Sequence, residues 1–492
     1  MRQLHGLDLS FLALETPQSP MHIGCLSIYD PSGAAGGIVR FEELVSFIES
    51  RLHLSATVRR RLVKVPLNLD FPYWVEDERF DLRDHVRHVT LPAPGGWDEL
   101  CSWSAEIFSR PLDLDRPPWE MTMIEGLGDI PGVPTGSYAL LAKVHHAAID
   151  GLAGIDLLQA LHSASPASEA PPQSDPWRPE PVPATFELVA RSWLNRIRHP
   201  ARSVQLVRKA APAVARVLKG AANEEFAIDL DTPVPPTRFN GAVSRHRVVG
   251  ACRLPLGEVR AIRALAPGCK LNDVFLAIVG GALHHYLGAL DELPDQPLTA
   301  LVPISVRGKR ERGDTGNQIT AMIVPLGSDL ADPTERLHFV QRRTRNSKAA
   351  SDAIGARTLM EMSDHSPALF LALGAQLFAR RGRDPGKSPL FNTLVTNVPG
   401  PKVPLYSAGA RLENMMGLMC LTDGMGLAHV VQSYLDEATV AFTADRAMMA
   451  DPEFYAACIE RSFTELLEAA KALPEGGPRK QSRKRAGAAA KT

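Results

Sequence analysis

Lys143-Val144-His145-His146-Ala147-Ala148-Ile149-Asp150-Gly151 is the stretch on which the fold of this 492-residue chain turns. It follows the apolar run Tyr138-Ala139-Leu140-Leu141-Ala142. It precedes Ile155-Asp156-Leu157-Leu158-Gln159-Ala160-Leu161, whose apolar residues recur at helical spacing. The apolar run has the length of a buried strand, so His145 and His146 are expected where that strand ends. Asp150 then sits in the turn and Gly151 closes it, open to close approach by backbone or substrate. A strand–turn–helix unit of this kind belongs to an α/β layer structure. Successive strand residues point to opposite faces, so His145 and His146 cannot both enter one cleft if the strand persists through them.

Three readings of His-His-x-x-x-Asp are open at this point. A metal site needs three or four ligands of fixed geometry. This spacing supplies two at most, and no His-Glu-x-x-His or cysteine partner stands nearby. A pair of core histidines would need hydrogen-bond partners on both sides of the strand. A general base needs one imidazole with a pKa near working pH, placed to take a proton from a hydroxyl or amine as it attacks a carbonyl. Asp150 would then orient the ring or hold the turn through an arginine. The chain has no Gly-x-Ser-x-Gly elbow, no Gly-x-Gly-x-x-Gly after a strand and no Walker loop, which disfavours a covalent hydrolase and nucleotide-binding chemistry. Direct transfer between two bound substrates is the simplest chemistry for such a base, and its tetrahedral oxyanion needs donors.

Toward the N-terminus, Leu7–Leu14 reads as a short helix, Phe41–Leu52 and Trp97–Ser109 as amphipathic helices, and Met121–Glu125 as a strand. Toward the C-terminus the composition changes at Ser165–Pro183, where seven prolines lie among Ser, Glu and Ala, the pattern of an extended linker. Leu188–Lys219 then carries apolar residues at roughly helical spacing with Arg191, Arg196, Arg198, Arg202, Arg208, Lys209, Arg216 and Lys219. Such a segment fits an anionic membrane surface, or a helix packed on the fold with its basic side solvated. Beyond Arg238 the alternation resumes. Helices are expected at Leu256–Ala266, at Asp273–Leu287 with Asn272 as cap, at Thr334–Ala349 and at Ala368–Arg380. Strands are expected at Leu298–Val306, Ala321–Leu326 and Phe391–Val398, with a hairpin of His429–Leu435 and Ala438–Ala444. Asp451 is expected to cap a last helix running to about Leu473. The expected units are 1–164, a linker and basic segment at 165–237, a second block at 238–474, and a basic tail at 475–492.

Composition bounds the function. The chain is 45% hydrophobic and 22% charged with a net charge of −1, a globular balance with no global field for nucleic acid. Its six cysteines are far apart and contain no Cys-x-x-Cys, as in a reduced cytoplasmic protein. Asp8 and Glu15 interrupt any apolar core at the N-terminus, so no signal peptide is expected, and no apolar window is long enough to span a bilayer.

An ordered set of motifs carries a resemblance. It comprises Leu9-Ser10-Phe11-Leu12-x-x-Glu15 with Met21-His22-Ile23-Gly24, then Arg116-Pro117-Pro118-Trp119-Glu120 with Ile124-Glu125-Gly126-Leu127, then the histidine stretch. It continues through Leu271-Asn272-Asp273-Val274, Val302-Pro303-Ile304-Ser305-Val306-Arg307, Gly316-Asn317-Gln318 and Asn392-x-x-x-Thr396-Asn397-Val398-Pro399-Gly400-Pro401. From Leu4 to about Leu473 the chain resembles the bacterial wax ester synthases/diacylglycerol acyltransferases, within the larger group of CoA-dependent acyltransferases marked by His-His-x-x-x-Asp-Gly. Two positions depart from the family. Pro117-Pro118-Trp119 stands where relatives commonly have Pro-Leu-Trp, and Met415-Met416-Gly417-Leu418-Met419-Cys420-Leu421 is richer in Met, a candidate lining for the acyl or acceptor pocket.

The resemblance implies two similar α/β domains, each a mixed sheet flanked by helices, with an active-site tunnel between them. It implies His146 as the base that activates a fatty alcohol or diacylglycerol hydroxyl against a long-chain acyl-CoA, with no covalent intermediate, no metal and no cofactor beyond acyl-CoA as substrate. His145, Asp150 and Gly151 would complete the catalytic motif, Asp150 shaping the site with Arg307 as candidate salt-bridge partner. Asn272, Thr396 and Asn397 are candidates for binding the oxyanion or substrates. The implied setting is cytoplasmic and peripheral, at the inner membrane or a lipid droplet, with a homodimer among the allowed assemblies. Two alternatives remain: an acyltransferase of this fold for a specialised alcohol or amine, and a non-catalytic lipid-surface protein.

Overall fold

The computed structural model describes residues 1–4, 6–66, 69–128, 130–148, 161–167, 177, 179, 181, 183–198, 234–305, 319–354, 368–384 and 387–473. Asp150, Gly151, Arg307, 316–318, the basic segment beyond Arg198 and the C-terminal tail lie outside the described residues. In chain order the elements are β1 (Arg2–Gln3), α1 (Gly6–Leu14), β2 (His22–Asp30), α2 (Phe41–Glu49), β3 (Arg60–Val63), β4 (Tyr73–Glu76), β5 (Val86–Thr90), α3 (Trp97–Ser109), β6 (Trp119–Glu125), β7 (Tyr138–His145) and α4 (Thr185–Arg198). They continue with β8 (Arg247–Pro255), α5 (Leu256–Ile262), α6 (Leu271–Ala289), β9 (Thr299–Ser305), β10 (Ile319–Pro325), α7 (Pro333–Ile354) and α8 (Ala368–Arg383). The last are β11 (Thr393–Val398), β12 (Tyr406–Ser407), β13 (Ala410–Leu418), β14 (Leu427–Tyr434), β15 (Glu437–Asp445) and α9 (Pro452–Lys471).

Among the described residues two six-stranded sheets organise the chain, in the orders β12-β13-β2-β7-β6-β5 and β10-β9-β11-β14-β15-β8, beside a small sheet β1-β4-β3. Each large sheet mixes directions. β5 and β6 are parallel in the first, β11 is parallel to β9 and β14 in the second, and the other pairs are antiparallel. The apolar run of β7 reads continuously because both its faces are buried. Ala139 and Leu141 pack with Leu100, Ala105 and Phe108 of α3, while Tyr138, Leu140 and Val144 pack with Leu44, Val45 and Ile48 of α2. In the second half α6 is buried nearly all round, from Val274 to Leu283, and its core includes side chains of α7 and α9.

The halves are not divided at the Pro-rich stretch alone. β13, more than 200 residues beyond it, pairs antiparallel with β2 from Leu418↔Gly24 to Arg411↔Asp30 and so completes the first sheet. A shared core forms where Leu26 and Ile28 of β2 and Met416 and Leu418 of β13 meet Val249 of β8 and Ala441 of β15. Gly417 sits where the two sheets approach closely: an added Cβ would stand 2.4 Å from Val430 Cγ1. Met415 and Met416 are 4% and 2% exposed and pack in the cores on the two faces of the first sheet.

A second expectation changes at α6. The helix begins at Leu271, one residue before Asn272, with Lys270 at the cap position, and it is Asp273 that turns back to accept the Lys270 N–H at 2.8 Å. A carboxylate at the third helical position serves the first turn better than a cap amide here, since it also complements the helix dipole. At the chain's other end Asp451 caps α9 as expected, accepting the Phe454 N–H at 2.9 Å.

Candidate active site

β7 ends at His145, and His146 opens a single 3-10 turn, His146–Ala148. The backbone thus changes path between the two rings. His145 pairs with His22 across β2, and its side chain is wholly buried. His146 is half-buried, its N–H donating to Met21 O at 2.8 Å. The strand ends between them, so alternation does not set the direction of the His146 ring, and the end of α1 meets both rings, Phe11 at His146 and Glu15 at His145.

His145 accepts the Ala147 N–H at Nδ1 (3.1 Å), and its Nε2 lies 3.5 Å from Glu15 Oε2. Phe11 of α1 lies flat on His146, ring centroids 3.9 Å apart and planes 12° from parallel. Burial pushes the His146 imidazole down to about 4 from 6.5, and the neighbouring His145 adds to the shift. It is therefore a neutral base at physiological pH. Its Nδ1 is buried with no hydrogen bond to any described residue.

The strand carrying these rings is anchored from below by a buried cation. Lys143 Nζ donates to Ile107 O (3.2 Å) and Arg110 O (2.8 Å) at the C-terminal end of α3 and pairs with Glu120 (3.1 Å). The carbonyls of a helix C-terminus attract a cation, so Lys143 fixes α3 against β7. His22 does similar work: its Nε2 contacts Phe108 O at 2.5 Å, and burial with Lys143 nearby lowers its pKa to about 3. From the second half, Arg247 of β8 donates to Gln18 O (2.6 Å) and pairs with Asp445, and α8 packs against α1. The histidines thus lie at the seam between the halves.

The other candidates are spread along that seam. Thr396 pairs with Val430, which faces Gly417 of the first sheet. By alternation Thr396 looks across the seam, while Asn397 looks to the helix side of its own sheet. Gln432, on the same face as Val430, brings Oε1 within 4.0 Å of Cys25 Sγ on β2. Asn272 is half-buried in the first turn of α6 and shares no described contact with either histidine. A cleft of about 850 Å³ opens between α3, β8 and α9, walled by Trp97, Cys101, Ala105, Val249, Ala251 and Ala456. Neither histidine lines it. Ile28, which does, is six residues along β2 from His22, about 20 Å at strand rise. Among the described residues no three His, Cys, Asp or Glu side chains are placed to hold a metal ion.

Reading the sequence alone left Phe11 and Glu15 without a role. Their i, i+4 spacing at the end of an apolar helix marked them as one face. What that face lies on is a fact of the fold.

Known proteins agree with this architecture. The wax ester synthase/diacylglycerol acyltransferase catalytic domain matches residues 4–275, and the C-terminal domain of the same family matches 315–467. Two Mycobacterium tuberculosis proteins, each named a putative diacylglycerol O-acyltransferase, are 32% and 34% identical. The first match covers 98% of this chain and 93% of the relative, the second 96% and 98%. The solved wax ester synthase/diacylglycerol acyltransferase of Marinobacter aquaeolei VT8 is 26% identical with a TM-score of 0.68, over 96% of this chain and all of that one. The starter condensation domain of rhizomide synthetase shares the fold at 14% identity and a TM-score of 0.54, over 96% and 94% of the two chains. With both family domains matched in order and His145 and His146 at their seam, the chain belongs to the wax ester synthase/diacylglycerol acyltransferase family.

Proposed function

We propose that this chain transfers a long-chain acyl group from acyl-CoA to the hydroxyl of diacylglycerol or of a long-chain alcohol, with His146 as general base. The observation that carries the reading is the His146 ring itself: neutral, half-buried and stacked under Phe11 at the seam of a chain of this family. As the acceptor oxygen attacks the thioester carbonyl, His146 takes its proton. The tetrahedral oxyanion then collapses, the C–S bond breaks, and the imidazolium returns the proton to the coenzyme A sulfur. Acyl-CoA enters as a substrate, and the balance needs no further cofactor. Asp150 and Gly151 shape the turn after the base, with Arg307 as partner of Asp150. The placement of Thr396 on the seam face supports it as a donor to substrate, and Asn272 and Asn397 remain candidates for the same role.

Lipid substrates argue for a lipid surface. No described helix is long and apolar enough to cross a membrane. α4, however, exposes Phe186, Trp193 and Leu194, and α8 exposes Leu373 and Leu377 with Arg380 one turn on. Exposed aromatic and aliphatic residues beside arginines suit shallow insertion at an anionic interface. Flotation with anionic vesicles tests this: Trp193→Glu combined with Leu373→Glu should abolish it, and unchanged flotation sinks the idea.

The activity is tested with purified protein, a labelled long-chain acyl-CoA and a panel of acceptors, reading free coenzyme A and the ester. Diacylglycerol or a fatty alcohol should give turnover, and His146→Ala should lower kcat by about 10²- to 10⁴-fold. Full activity in that variant removes His146 as the base. Turnover with an amine alone, or with no acceptor at all, overturns the substrate class.

A further inference from the structure

α1 ends where the active site begins. The Glu15 N–H still donates to Phe11 O at 3.1 Å, so the two side chains leave the same side of the last turn. Phe11 covers His146, and Glu15 faces His145. An imidazole whose Nδ1 accepts a backbone N–H, as His145 does from Ala147, carries its neutral-form proton on Nε2. That nitrogen is buried with no hydrogen bond among the described residues, and the group it faces is Glu15 Oε2, 3.5 Å away. The other carboxylate oxygen, Oε1, lies 3.5 Å from the Met21 N–H, and the carbonyl of Met21 accepts the N–H of His146. One carboxylate thus reaches both segments that hold the base: the turn after β7 through His145, and the start of β2 through Met21.

We propose that Glu15 is a positioning residue for the acyl transfer, fixing through His145 the turn that aims His146 and favouring, by its charge, the imidazolium that His146 becomes. The proposal rests on the reading of His146 as the base. The charged and titratable groups around this point are His22 from β2, Lys143 from β7, Arg247 from β8, and Cys420 just past β13. Lys143 is held by Glu120 and the α3 carbonyls, and Arg247 by Asp445 and Gln18 O. Glu15 is left as the carboxylate facing the His145 ring among the described residues. A contact of 3.5 Å is long for a hydrogen bond in the free protein. Such contacts in catalytic centres shorten when substrate fills the site. α1 also packs on α8, so the position of Glu15 depends on both halves of the molecule being in place.

The test uses the full-length protein with Glu15→Gln, Glu15→Ala and Glu15→Asp. Steady-state kinetics with a long-chain acyl-CoA and a long-chain alcohol should show kcat lowered about 10-fold in the Gln variant and about 100-fold in the Ala variant, the size of a lost charge-assisted contact, with KM for acyl-CoA near its wild-type value. The Asp variant should recover part of the loss. Without the negative charge the acid limb of the kcat/KM–pH profile should move to lower pH, because the imidazolium loses support. Long-range ¹H–¹⁵N spectra should show wild-type His145 protonated at Nε2, with that proton exchanging faster in Glu15→Ala. Wild-type kcat and an unmoved acid limb in folded Glu15→Ala overturn the proposal, as does a loss that merely tracks lost folded protein in all three variants. A proton on Nδ1 of wild-type His145 overturns it irrespective of turnover. Should the wild-type protein release no coenzyme A with any acceptor, the assigned activity fails on its own, and the tautomer measurement still decides whether Glu15 faces a proton on His145 Nε2.

Discussion

Replacing Phe11 by Ala probes what keeps His146 neutral. The imidazole is pushed from 6.5 to about 4, a difference of about 3.4 kcal/mol between its two protonation states at 1.36 kcal/mol per unit. Because His146 is half-buried, solvent screening reduces what any one neighbour supplies. Phe11 covers one entire face of the ring at 3.9 Å, so about half of the shift, on the order of 1.5 kcal/mol or one unit, is assigned to it. A cation–π attraction between Phe11 and the protonated ring works in the opposite sense, at about 0.5–1 kcal/mol. Desolvation wins by about 0.5–1 kcal/mol, so Phe11→Ala should raise the His146 pKa by roughly half a unit. The assay is kcat/KM against pH from 4 to 8, with the His146 Cε1 proton titrated by NMR. The acid limb should move up, while the loss of a half-buried ring costs about 1–2 kcal/mol of stability. An acid limb that stays in place, or moves down, in a folded variant refutes the reasoning: the burial would then come from elsewhere, or the cation–π term would dominate.

Two further outcomes follow from the packing. Gly417→Ala places a methyl 2.4 Å from Val430 Cγ1 in the seam of the sheets. Overpacking of this kind costs about 1–3 kcal/mol, so Tm should fall with the seam held apart and activity lowered at permissive temperature; an unchanged Tm would mean the sheets separate without strain. His22, His146 and His429 have native pKa values of about 3, 4 and 4 against 6.5 unfolded, all through burial. Their native forms stay neutral while the unfolded chain takes up protons, so their stabilising contribution is complete above 6.5 and declines as pH falls toward 4. The urea midpoint should therefore fall steadily between pH 6.5 and 5, and a flat midpoint over that range contradicts the burial of these rings.

Local pattern carried much of the architecture. Trp97–Ser109 is a helix with the bounds its spacing indicates, β7 grows from its apolar run, and the β14–β15 hairpin lies where two strands flank Asp436. Each of these depends on neighbours in sequence. What failed or went unread depends on neighbours in space. Asn272 looked like a cap because Asn suits that position. Leu271 is nonetheless helical, and Asp273 ties the first turn from within. Nothing local in Ala410–Leu418 shows that it leaves its own half to pair with β2, since β13 alternates as a strand of either sheet would. For the candidate site, the histidine stretch was conspicuous, but the sequence could not show what covers those rings. Phe11 and Glu15 lie some 130 residues upstream, and only the docking of α1 on the turn after β7 brings them there.

The pairing of β13 with β2 bears on how the chain is made. On a ribosome adding ~5–20 residues per second, β2 waits about 20–80 s for the segment that will occupy its outer edge. Until then the nascent first sheet offers the backbone donors and acceptors of β2 to any strand that passes, another nascent chain included. A polypeptide stopped before Ala410 keeps that edge for good. Truncations at the Pro-rich stretch should therefore enter inclusion bodies, while the two pieces expressed together should rescue one another. The first sheet of this protein is thus completed only after Leu418 has been made.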